Sequence, residues 1–218
     1  VSVTFDGGER EIPVSVEVWD FALPVKSSMQ TNFLHHWNNN YYEDVGISSK
    51  EMNRMVWEFF LDYRISGNYM FFIEYDGYGA DLENYVKSMK EFVDEHPEIT
   101  HVQLLLHQWD YSGTVDSEAM ANNKNNKYMY ELLKKYDLTQ IASYYVVDEP
   151  ADTEANEKLI KDLAAGISGF APDIKNIVTT NNSKYDGYIS CWCPLWNMID
   201  KSFVAGKQAL GEHVWWYG

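Results

Sequence analysis

Hydrophobic and polar positions alternate along "IPVSVEVWDFALP" (12–24), a pattern that predicts a β-strand ending near Pro24. The periodicity then changes. In "SSKEMNRMVWEFFLDYRI", Met52, Met55, Val56, Phe59 and Phe60 recur at helical spacing, and Ser48 or Ser49 can cap the helix. "RISGNYMFFIEY" reads as a second strand, and "DLENYVKSMKEFVDEHP" as a second helix stopped before Pro97. "HVQLLLHQWD" and "IASYYVVDEP" are apolar strands separated by the helix "NKNNKYMYELLKKYD". The helix "DTEANEKLIKDLAAGISGF" follows, then the strands "KNIVTTN" and "GYISCWCP", the helix "LWNMIDKSFVAGKQAL" and the strand "EHVWWYG". Between "VTTN" and "YIS" there is room only for a turn or a very short helix.

Strands alternating with helices predict a parallel sheet covered by helices, and continuously apolar central strands fit burial on both faces. About seven strands are visible, where a complete (β/α)8 barrel uses eight and about 250 residues. The expected architecture is therefore a TIM-type (β/α)8 barrel lacking its last unit in this chain, spanning 13–218, with residues 1–12 a remnant or linker from a preceding β domain. A doubly wound open sheet is the alternative. Against it, "WDFALPVKSS" stands where a glycine-rich phosphate loop should follow the first strand.

Composition narrows the function classes. The formal net charge is −16, which argues against nucleic acid and anionic membranes as partners. No apolar run reaches the length of a membrane span, and no signal peptide is evident. Localisation is left open, with a secreted or cell-surface place slightly favoured. The two cysteines, Cys191 and Cys193, cannot easily bridge at that spacing and read as packed thiols. Nothing in the spacing calls for a metal or a cofactor. Aromatic residues make up 16% of the chain, enough to line a site that stacks on flat apolar faces such as sugar rings.

In a (β/α) barrel the site lies at the C-terminal ends of the strands. The residues there are Trp19 and Asp20; Glu74, Tyr75 and Asp76; His107, Trp109 and Asp110; Asp148 and Glu149; Asn181 and Asn182; Trp192; and Trp215, Trp216 and Tyr217. Carboxylates, aromatics and amides without a phosphate clamp suit a neutral polyol. The adjacent pair Asp148 and Glu149 is the strongest candidate for chemistry. Two carboxylates in a partly buried site cannot both ionise comfortably, so one can hold a proton and donate it to a leaving oxygen. Neighbours on a regular strand face opposite ways, so both acids reach one ligand only if the chain bends there; Pro150 favours such a bend. The competing explanation is that "DEPADTE" simply caps the following helix. His107 is balanced between a core role and ligand contact. Trp192 and its flanking thiols must face opposite sides, and "WWY" must split between two faces.

"VEVWDFALP", "LDYRI", "YYVVDEP", "YISCWCP" and "HVWWYG" resemble, in that order, the catalytic domain of glycoside hydrolase family 123 and the related domain-of-unknown-function 4091 group. The resemblance covers nearly the whole chain. It implies a (β/α)8 barrel and β-N-acetylgalactosaminidase activity on glycans and glycosphingolipids. It also implies a retaining, substrate-assisted mechanism through an oxazoline. Under it, Asp148 orients and stabilises the 2-acetamido group, and Glu149 is general acid, then base. Sugar contacts are expected from His107, Trp109, Asn181, Trp192, Trp215, Trp216, Tyr217 and Asp20. Two further readings stand beside it. One is a non-catalytic carbohydrate-binding barrel; the other is a conventional two-carboxylate glycosidase pairing Glu149 with Asp20, Asp76 or Asp110.

Overall fold

The computed structural model describes residues 1–34, 45–73, 81–104, 106 and 115–218. It is a mixed α/β structure. An exposed antiparallel hairpin, β1 (Ser2–Phe5) and β2 (Gly8–Glu11), comes first. Helices α1 (Ser49–Asp62) and α2 (Asp81–Glu95) precede β3 (Val102–Leu104). Helices α3 (Ser117–Asn122) and α4 (Lys124–Lys135) lead to β4 (Ala142–Val147). Then come α5 (Glu154–Phe170), β5 (Lys175–Val178), β6 (Cys191–Trp192), α6 (Lys201–Ala209) and β7 (His213–Val214). Short 3-10 turns occupy Ser183–Tyr185 and Trp196–Met198. The five strands β3 to β7 form one parallel sheet in chain order.

The parallel sheet with intervening helices is what the alternation of periods predicts. Capping explains the helix starts. Ser48 accepts the Glu51 N–H at α1, and Thr153 accepts the Asn156 N–H at α5. The helices cover one face of the sheet, where Val102, Leu104, Tyr144, Val146, Val178 and Trp192 join the main core. On the opposite face, Ile177, Cys191 and Cys193 pack with Tyr145, Trp215 and Tyr217. This second face is concave. The His101 ring, just before β3, meets the Trp215 ring, just after β7, with centroids 5.0 Å apart. Four strand spacings in a flat sheet would hold these positions about 19 Å apart. The sheet must therefore curl until residues from its two edges touch across its interior.

Three expectations are revised. Residues 12–24 form no strand and are exposed: Val14, Val16 and Val18 are 62%, 78% and 88% accessible. Alternation makes a strand feasible but supplies no ladder partner; beyond Ile12, which exchanges backbone bonds with Val1, this stretch has none among the described residues. Among the described residues, the second strand reduces to a single parallel bridge between Phe33 and Gly67. Side chains of α1 take backbone groups that a ladder would use: Asn53 Oδ1 accepts the Phe72 N–H at 3.1 Å, and Trp57 Nε1 donates to the Tyr69 carbonyl at 3.1 Å. Accordingly α1 buries Asn53, Trp57 and Leu61, while Met55 and Phe59 of the expected stripe are exposed. Among the described residues, no helix is long and apolar enough to cross a membrane.

Candidate active site

The end of β4 departs from regular geometry at two places. Tyr145 pairs with Ile177 and Val147 with Val178, so Val146 is an extra residue and the strand bulges. Three residues after Val146, Glu149 has φ of 41°, in the left-handed region that a side chain ordinarily avoids. These departures let consecutive acids converge on the concave face.

Each acid meets a different tyrosine. The Tyr145 hydroxyl donates to Asp148 Oδ1 at 2.6 Å, and the Tyr217 hydroxyl donates to Glu149 Oε1 at 2.5 Å. Thr179, directly after β5, touches both: its hydroxyl accepts the Glu149 N–H and donates to Asp148 Oδ1 at 3.2 Å. Burial pushes the Tyr145 phenol far above its ordinary range, with the Asp148 bond adding to the effect. Tyr217 is raised in the same sense, first by burial and then by Glu149. Both phenols therefore remain O–H donors at neutral pH. Cys193 is pushed up to about 11 by burial, with the Asp148 charge adding, so it is a thiol beside the acids. Burial raises Cys191 as well.

The helix-capping explanation for the acids fails on contacts. Thr153 caps α5, Glu154 and Glu157 supply the acidic first turn, and Asp148 and Glu149 bond to tyrosines instead. Both acids are exposed, however, where the sequence argument assumed partial burial. Two surface depressions among the described residues lie elsewhere, one between α1 and α2 around Arg54 and Glu91, the other along α5 around Lys158 and Tyr188.

The remaining candidates divide. Trp215 and Tyr217 face the concave side, two being the most that alternation in "WWY" allows. Trp216 points away and is 58% accessible, so it is removed from the candidate contacts. Trp192 is also removed. It is fully buried on the helix side, donating to Glu212 Oε2 at 2.7 Å, with Lys207 Nζ 3.8 Å from its ring centroid. The alternation in "CWC" thus turns the thiols, not the indole, inward. Asp20 lies on the exposed, unpaired segment and is not brought to the pair. Asn181 is exposed, and its amide donates to the Met198 carbonyl at 3.3 Å, tying two loops rather than meeting the acids. His107 and Trp109 lie outside the described residues, as do Asp76 and Asp110. Tyr145 and Thr179 were not anticipated. A phenol three residues before Asp148 and the hydroxyls of "VTTN" were the available signals.

The arrangement can hold one carboxylate with two hydroxyl donors on a single oxygen and present the neighbouring carboxylate from a second tyrosine. No protein-family model matches the chain, and no curated protein matches it.

Proposed function

We propose that this chain is a retaining glycosidase acting on a terminal β-linked 2-acetamido sugar, N-acetylgalactosamine ahead of N-acetylglucosamine, in a glycan or glycosphingolipid. The observation that carries the reading is the convergence of Asp148 and Glu149 on the concave face, each on its own tyrosine donor. The barrel belongs to the proposal. The curled five-stranded sheet and the parallel bridge at Phe33 and Gly67 support a (β/α)8-type reading, in which the acids, at the C-terminal end of β4, would stand at the rim.

In the mechanism, the substrate's acetamido oxygen attacks the anomeric carbon as the glycosidic bond breaks. Glu149 gives its proton to the departing oxygen. Tyr217 occupies Oε1, which leaves Oε2 to carry that proton. Tyr145 and Thr179 both address Asp148 Oδ1, which leaves Oδ2 to accept the acetamido N–H and stabilise the charge developing on the ring. Glu149, now a carboxylate, takes a proton from the water that opens the oxazoline, and the configuration is retained.

The exposure of both acids favours a second reading, a carbohydrate-binding surface without turnover. Aryl β-GalNAc and β-GlcNAc substrates separate the two. Under the glycosidase reading, wild type releases the aryl group, Asp148→Asn and Glu149→Gln lose activity, and a thiazoline analogue of the oxazoline inhibits. Sugar binding without hydrolysis would select the second reading. Undiminished turnover by Glu149→Gln, or turnover of sugars lacking the acetamido group, would overturn the mechanism.

A further inference from the structure

We propose that Thr179 is a positioning residue for the acid pair, its single hydroxyl setting the direction of both Asp148 and Glu149. The geometry is independent of the glycosidase reading; the catalytic consequence rests on it.

Consecutive strand residues point to opposite faces, so adjacent acids share a ligand only if the backbone is held out of register between them. The bulge at Val146 brings the strand to that point, and the left-handed Glu149 completes the turn. A left-handed residue before proline is doubly disfavoured, because the proline ring restricts its predecessor toward extended conformations. Such a conformation persists only where neighbours over-determine it. Thr179 supplies that hold by accepting the Glu149 N–H. The same oxygen lies 3.2 Å from Asp148 Oδ1, beside the Tyr145 hydroxyl that also donates there. The threonine hydroxyl accepts one N–H and has one proton to give; Asp148 Oδ1 at 3.2 Å is its nearer acceptor and the Val147 carbonyl at 3.4 Å the farther.

Threonine suits this task. Thr179 is buried, 9% accessible, and its backbone N–H reaches the Val147 carbonyl at 3.4 Å, anchoring it to the strand that carries the acids. A β-branched side chain in that setting has few χ1 choices, so the hydroxyl direction is fixed by packing rather than by the acids themselves.

Thr179→Val keeps the shape and removes both bonds; Thr179→Ser keeps the hydroxyl; Thr179→Ala is the second hydroxyl-free variant in case valine fails to fold. The first readout needs no activity. Exchange of the Glu149 backbone amide, followed by NMR, accelerates roughly tenfold or more in the valine and alanine variants and returns toward wild type in serine. The second is kinetic: kcat on the aryl substrate falls by about 100-fold without hydroxyl, the scale of a small misplacement of catalytic groups, with KM little changed and serine rescuing. Exchange that responds in a wild type lacking hydrolysis would uphold the positioning role and count against the glycosidase reading. Exchange identical in all four proteins would overturn the positioning role whatever the activity.

Discussion

Replacing Glu149 by glycine and, separately, by alanine tests the backbone of the site directly. At an ordinary position alanine is the more stable of the two by about 0.5–1 kcal/mol, because glycine has more freedom to lose on folding. At Glu149 the order should invert. With φ at 41°, a Cβ in the left-handed region costs about 1–2 kcal/mol, which glycine avoids and alanine keeps. Both substitutions delete the same carboxylate and the same Tyr217 bond, so those losses cancel in the comparison. The glycine variant should therefore exceed the alanine variant by about 1 kcal/mol once its unfolded-state entropy is subtracted. Urea unfolding with matched m-values measures the difference, and in a chain of this size it corresponds to about 2–4 °C in Tm. Both variants should be inactive on the aryl substrate. Alanine equal to or more stable than glycine would mean that residue 149 is not held left-handed, and the convergence of the two acids would lose its basis.

Two further predictions concern the frame. A Cβ at Gly67 would sit 2.8 Å from Trp57 Cε2, in a fully buried ring tethered to the Tyr69 carbonyl, so Gly67→Ala should cost about 1–3 kcal/mol in urea unfolding. His101 is fully buried and held down to about 3 by burial, with the Lys175 charge adding. Between the ordinary histidine value near 6.5 and about 3, the unfolded chain takes up a proton that the folded one refuses. Stability present above pH 6.5 should then be lost as pH falls through that window, with a slope of up to about 1.4 kcal/mol per pH unit from this group. His101→Asn should flatten that part of the wild-type profile, and parallel profiles would refute it.

The longer helices and the last five strands were legible because their signals are local: 3.6-residue spacing, Ser48 as a cap, and apolar runs between turn residues; the six-residue α3 is too short to show such a repeat and was not anticipated. The 12–24 segment misled because a two-residue period describes one strand and says nothing of its partner. Trp192 misled in another way. Alternation fixes that the indole and the thiols part company but not which of them turns inward. The acid pair was legible as a pair, yet its setting was not. The bulge at Val146 belongs to the pairing of two strands, and it decides that Tyr145 meets Asp148. Asn181 stood in place of Thr179 because "KNIVTTN" reads as strand to its last residue, whereas β5 ends at Val178. Only the packed sheet shows that a hydroxyl from the neighbouring strand reaches back to the turn.

The curled sheet also orders events in time. Glu149 and the tyrosine that holds it are 68 residues apart, and His101 waits for Trp215 from the same final strand. As the polypeptide leaves the ribosome, α4, β4 and α5 can assemble from neighbouring stretches alone. Glu149 remains without its tyrosine until the tryptophan–tyrosine segment emerges. Removing residues 213–218 would leave a helical shell around an unfinished centre.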